Sequence, residues 1–173
     1  MDITEQLENR TLGRDAGILH LSDVADNALA AARLVAQARR ELSILSRDLD
    51  KPVFDNREIL DGLKELALRS HLSRIRIVIQ DHERVVKQGR RIIELARRLT
   101  SSLEIRLPSD DWRDFPENFL LADRHGYLHR PLSTRYDANA DFHSPLVVQR
   151  LSQRFEEIWE NGRVGSELRR LYL

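Results

Sequence analysis

A chain of 173 residues with 28 basic and 28 acidic side chains has no net formal charge, so no global field draws it to nucleic acid or to an acidic membrane, and any such attraction needs a local patch. At 41% hydrophobic and 32% charged it lies far from the composition of a disordered chain, and its length suits one domain with a two- or three-layer core. The lack of Cys excludes disulfides, thiolate metal sites and Cys nucleophiles.

Residues 1 to about 18 are polar, without an apolar leader region or helical periodicity, and are expected to form a flexible arm ahead of a single domain over 19–173. No run of 18 apolar residues occurs, which points to a cytoplasmic protein with no membrane partner. "SDVADNALAAARLVAQARR" places Val24, Ala28, Ala32 and Val35 on one helical stripe, with Ser22 as N-cap. "ELSILSRDLD" supplies Leu42, Ile44 and Leu45 in a short strand. "DNREILDGLKELALRS" opens on Asp55 with Glu58 three residues on, and Ile59, Leu63 and Leu66 mark the buried stripe of a second helix. "RIRIVIQD" alternates Arg with Ile before running apolar from Ile77 to Ile79, as a strand entering a buried sheet does. "HERVVKQGRRIIELARRL" reads as one helix with Val85, Val86, Gly89, Ile92, Ile93 and Ala96 inward, and "SLEIRLP" as a third strand closed by Pro108.

Helices and strands alternating through short connections give a parallel α/β core. "ENFLLADRHGYLHRP" breaks the rhythm: two β-rich pieces flank "DRHG", whose Asp and Gly suit a tight turn, so an antiparallel hairpin is expected. After the polar stretch "LSTRYDANADFH", a last helix starts at Ser144 and Pro145 and ends at Gly162, with Val147, Leu151, Phe155 and Ile158 inward. The expected fold class is α/β, three-layer, with a mixed, mostly parallel sheet and helices on both faces.

The succession "ELSILSRDLD", "RIRIVIQD", "LEIRLP", "NFLLADRHGYL" and "RFEEIW" resembles a half-domain of the phospholipase D superfamily over about residues 25 to 161, in a bacterial branch found alone or behind acetyltransferase domains. The resemblance implies that fold, pairing of half-domains, and a His-x-Lys-x4-Asp motif giving a nucleophilic His, a phosphate-binding Lys and a supporting Asp. The matching stretch is "PENFLLAD", with Asp123 in the last place but Pro116 and Asn118 where His and Lys belong. Elsewhere the residues two after His20, His71, His82, His125, His129 and His143 are Ser22, Ser73, Arg84, Tyr127, Pro131 and Pro145, and none is Lys. Without an imidazole to attack phosphorus and a cation to hold its oxygens, phosphodiester hydrolysis of that type is excluded.

Asp123 is then expected to begin the hairpin turn and bond nearby backbone N–H groups, while staying a ligand-binding candidate. His125 and His129, with Asp137, Asp141 or His143, form a possible metal set, but residues four apart on a strand lie roughly 13 Å apart, so no metal is expected. "GRVGS" at 162–166 follows a helix and lacks the glycine spacing of a nucleotide loop, and no nucleophile elbow occurs, so no cofactor is expected.

Charge is uneven. From Arg69 to Arg106 ten basic residues face four acidic ones, and from Pro108 to His143 four face seven. Arg84, Lys87, Arg91 and Arg98 fall on one arc of the predicted 82–99 helix, either a solvated face or a surface for phosphate, nucleic acid or an acidic partner. Three readings follow: a catalytically silent binding module, a nucleic-acid or phosphate-ligand binder, and an enzyme of unfamiliar chemistry around Asp123, His125 and His129. A homodimer is expected, with Trp112, Phe115, Phe119, Tyr127 and Trp159 as interface rings or, alternatively, as core beneath the last helix; an acetyltransferase is the possible protein partner.

Overall fold

The computed structural model describes residues 1–165 and Leu168. In chain order the elements are α1 (Ile3–Asn9), β1 (Leu19–Leu21), α2 (Val24–Gln37), β2 (Glu41–Ser46), α3 (Lys51–Phe54), α4 (Arg57–Arg69), β3 (Arg74–Ile79), α5 (His82–Gln88), α6 (Arg91–Arg98), β4 (Leu103–Leu107), a 3₁₀ turn (Asp110–Trp112), β5 (Asn118–Ala122), β6 (Gly126–Arg130), β7 (Ala138–Asp141), α7 (Pro145–Asn161) and β8 (Arg163–Val164). The eight strands form one sheet in the order β1-β7-β6-β5-β2-β3-β4-β8. As the alternating pattern requires, β2, β3 and β4 are parallel neighbours, and β5 and β6 add an antiparallel hairpin against β2.

Period-2 alternation sends Leu42, Ile44, Ile75, Ile77, Leu120 and Leu128 to one face, where they pack under α2, α4 and α6. Leu45, Val78, Phe119, Leu121 and Tyr127 point to the other face and meet Val148, Leu151, Phe155, Ile158 and Trp159 of α7. Three layers result, with helices on both faces of a mixed sheet. No described helix is long and apolar enough to cross a membrane.

Several local expectations are corrected. The arm is packed: Leu7 of α1 is fully buried, and the N–H groups of Leu12 and Gly13 donate to Gln37 Oε1 (2.9 Å) and Phe142 O (2.8 Å). Asp23, not Ser22, caps α2; Ala32 and Val35 are buried as expected, but the buried face also takes in Asn27, Ala30, Ala31 and Leu34 and leaves Val24 exposed. Alanines cover so much of its circumference that the sequence does not select a face. Asn56 caps α4, which frees Asp55 for another contact. Residues 138–141, read as loop, form β7: "ANAD" lacks β-branched residues, yet it pairs with β6 and β1 on either side. On α7 the inward residue is Val148, with Val147 only partly covered.

The predicted 82–99 helix is broken. Gly89 sits at φ 76 and ends α5, with its N–H on Val85 O. Arg90, 4% exposed, turns inward, and its Nε donates to the carbonyls of Asp48 (3.1 Å) and Leu49 (2.9 Å). A positive-φ, extended residue followed by a side chain that must reach another loop cannot continue a helical ladder.

Candidate functional site

Strand β5, where the motif resemblance lies, is occupied by structural tasks. Asn118, at the Lys place, is 2% exposed and its Oδ1 accepts the Arg47 N–H at 3.1 Å. Pro116, at the His place, is exposed, and its carbonyl accepts from Ser133 N. Asp123 lies at the opposite end of the strand, roughly 23 Å from Pro116 by the strand rise. Its carboxylate accepts the N–H groups of Arg39 (2.6 Å), Arg40 (2.8 Å) and Glu41 (3.0 Å), fastening the α2–β2 connection. These partners stand 82 to 84 residues away, so the expected local turn bonding is corrected to a long-range clamp.

The hairpin joins Ala122 to its register partner Gly126 through three residues, with positive φ at Asp123 (53°) and Arg124 (63°) and the His125 N–H on Ala122 O. Gly126 is not the turn residue. It opens β6 where a Cβ would lie 2.6 Å from Leu12 Cδ1 and 2.9 Å from Leu34 Cδ2, so its role is close approach.

At the Asn118 end, Arg130 is buried beside Asp50. Its Nη1 meets both carboxylate oxygens (3.1 and 3.3 Å), Nη2 donates to Ser133 O, and the guanidinium lies 4.4 Å from the Tyr136 ring centroid. Tyr136 donates its hydroxyl to Asp50 Oδ2, and burial, with Asp50 adding to it, pushes its pKa up to about 12. This is a closed polar plug, satisfied from within the chain.

The His pair is not brought together. His125 is in the turn, its ring 5.9 Å from that of His143, whereas His129 lies at the far end of β6 between Phe119 and Glu117. Burial lowers the His129 pKa, against the opposing pull of Glu117. Among the described residues no three His, Asp or Glu side chains are placed to hold a metal. Asp123 and His125 line one shallow depression, while His129 lies at the far end of β6, so the three are not gathered at one point.

The polar ground of the molecule is on the α7 face, where sequence reading saw only a strand pattern. Arg76 projects there, 6% exposed, and forms a two-pronged pair with Glu156 of α7, one arm at 2.9 Å. Its guanidinium lies 5.1 Å from the Phe155 centroid and 5.4 Å from that of Trp159, and Arg106 covers Trp159 at 4.3 Å. The hydrogen bond from Arg76 holds the Glu156 carboxyl below its ordinary range. The signal was the "RIR" spacing: arginines two apart on a strand whose other residues are buried share one face.

Beside this pair a cleft of about 570 Å³ opens between α7 and the starts of β2 and β3, lined by Ser43, Arg74, Arg76, Gln149, Ser152 and Glu156. A neighbouring depression of about 600 Å³ shares Glu41, Arg74, Asp123 and Arg124 with it and adds Arg39 and Arg40. Of the sequence candidates, Asp123 lines both clefts and His125 lines the second. The basic candidates divide between two helices: Arg84 and Lys87 on α5, Arg91 and Arg98 on α6. The single arc is therefore corrected, and Arg84 pairs with Asp48 (3.3 Å) and Arg91 with Asp55 (3.5 Å).

A family model described as a domain of unknown function, DUF7931, matches residues 23–171. The chain belongs to the DUF7931 family. No curated protein matches its sequence. Among solved structures, the DUF7931 chain is similar to TrmBL2, an archaeal chromatin protein whose structure shows a novel mode of DNA binding, with TM-score 0.63 and 16% identity over 94% of this chain; it spans only 58% of that protein. It is also similar to Nuc of Salmonella typhimurium, a phospholipase D family member, with TM-score 0.60, 13% identity, and 87% and 98% of the two chains covered. NucT of Helicobacter pylori gives TM-score 0.61 at 10% identity, with 86% and 98% covered. At these identities the likeness is one of fold, and the fold is phospholipase D-like.

Proposed function

We propose that this DUF7931 chain is a phospholipase D-fold module that does not cleave phosphodiesters and works by binding. The observation that carries this is β5: Pro116 and Asn118 stand where a nucleophile and a phosphate-holding cation would be, and Asp123 is committed to three main-chain N–H groups. A covalent phosphoryl mechanism needs both missing groups at one reacting phosphorus. Purified protein incubated with bis(p-nitrophenyl) phosphate and with plasmid DNA is expected to give no turnover above buffer. Hydrolysis that disappears in Asp123→Asn overturns the proposal.

The assembly half of the proposal is a homodimer, with an acetyltransferase as the alternative protein partner. It rests on the pairing that the half-domain resemblance implies. The aromatic residues supply little of the interface, because Phe119, Tyr127 and Trp159 are buried under α7 and only Trp112 and Phe115 keep partial exposure. Light scattering is expected to return twice the 20.2 kDa chain mass; a single-chain mass removes self-association. A second reading, nucleic acid as the bound partner, is favoured by the similarity to TrmBL2.

A further inference from the structure

We infer that the end of the sheet where β2 and β3 begin is a surface for the phosphodiester backbone of a nucleic acid, gripped by Arg39, Arg40, Arg74 and Arg124. The inference rests on the binding reading above and supplies its partner class and its surface. These arginines come from three separate places, the α2–β2 connection, the first residue of β3 and the β5–β6 turn, and all four are exposed around the two adjoining clefts.

The carboxylates of the same end are already engaged. Asp123 holds main-chain N–H groups, Glu41 meets Arg124 (3.0 Å), and Glu156 meets Arg76. Arg39, Arg40 and Arg74 form no ion pair among the described residues, so local charge at this end is positive although the whole chain is neutral. The Arg124–Glu41 pair is 85% exposed on the arginine side, and such a pair is weak enough for Arg124 to turn to a phosphate.

Two alternatives fit less well. A small phosphate ligand is best cradled by main-chain N–H groups, and those of residues 39–41 are occupied by Asp123, which leaves side chains spread along an open edge. A symmetric contact between two copies would press this patch against itself and set like charges face to face. A polyanion tracked by guanidinium groups meets neither objection.

The test is fluorescence anisotropy with a labelled duplex of ~20 bp and a single strand of equal length, titrated across salt from ~25 to ~200 mM. With three or four phosphates neutralised, log K is expected to fall against log salt with a slope of about −3 to −4. R39A/R40A/R74A is expected to reduce that slope to about −1 and to weaken binding at ~50 mM salt by more than tenfold. Should the triple variant fail to fold, R40A and R74A singly are each expected to reduce the slope by about 1. R84A/K87A is expected to leave slope and affinity unchanged. The inference is overturned by absence of binding to both probes at ~50 mM salt, by equal loss in R84A/K87A, or by edge variants that change the mass in light scattering without changing anisotropy. None of these outcomes bears on hydrolysis, so the non-catalytic reading stands or falls on its own assay.

Discussion

Asp123 combines a left-handed backbone with a carboxylate that satisfies three N–H groups at the start of a central strand. Asp and Asn tolerate that backbone region better than most residues. Asp123→Asn keeps the backbone preference and one acceptor, which can still serve Arg40 and Glu41, whereas Asp123→Ala loses both; we expect costs of about 1–2 and about 3 kcal/mol in urea unfolding. Two groups with depressed values contribute to the acid response. Burial lowers His129, so below the ordinary 6.5 the unfolded chain takes up a proton that the folded chain refuses, and stability falls as pH falls through that range. Glu156 is held below its ordinary 4.5, chiefly by the Arg76 hydrogen bond, so its contribution is present above 4.5 and is lost as pH falls through the folded value. Urea midpoints between pH 7.5 and 3.5 are expected to fall in two stages, the upper removed by His129→Gln and the lower reduced by Glu156→Gln. The Arg76–Glu156 partnership joins residues 80 apart and no sequence pattern announces it, whereas Glu117 and His129 meet across the expected hairpin.

The break between α5 and α6 explains why helix periodicity misled at this element. Val85, Ile92 and Ile93 are buried as the stripe requires, and the 82–99 segment scans as continuous because a single Gly is compatible with a helix. What ends α5 is tertiary: Arg90 reaches two carbonyls in the β2–α3 connection, and Gly89 takes the positive-φ, extended conformation that lets it turn. A Cβ at Gly89 meets nothing within 4 Å, so Gly89→Ala tests backbone strain alone; at φ 76 and ψ 150, a nearly Gly-only region, the expected cost is about 1–3 kcal/mol. Arg90→Met keeps much of the apolar stem but strands the carbonyls of Asp48 and Leu49, and a loss of about 2–4 kcal/mol in urea unfolding is expected. A cost for Arg90→Met no larger than that for Gly89→Ala would mean that the arginine follows the break and does not hold it. Strands β2, β3 and β5 were legible because they are buried on both faces, and β4 because Leu103, Ile105 and Leu107 alternate with Glu104 and Arg106, whereas β1, only three residues long, and β7, a polar ANAD, are ordered by their neighbours.

At the scale of the molecule, the N-terminal segment packs against α2 and the start of β6. Leu7 is fully buried in the same core as α2, and Leu12 packs over Gly126 at the start of β6. Between them Gln37 serves the segment twice, accepting Leu12 N–H and donating to Arg10 O (3.0 Å). Farther along, Gly17 N–H reaches Asp141 Oδ1 (3.2 Å), a carboxylate that also accepts His143 N–H. The segment reads as an arm because one short helix with a single well-buried leucine carries no periodicity; its order comes from bonds to residues 37, 141 and 142. Burial of a leucine contributes about 1.5–3 kcal/mol and each cross-link about 1 kcal/mol, partly offset by the entropy of ordering the chain. A chain beginning at Ile18 is therefore expected to lose roughly 3–5 kcal/mol, read as a lower urea midpoint with a smaller m-value because less surface remains to expose. If its midpoint matches that of the full chain, the segment is not docked in solution, and Leu34 and Gly126 would then lie open to solvent where the structure has Leu12 against them.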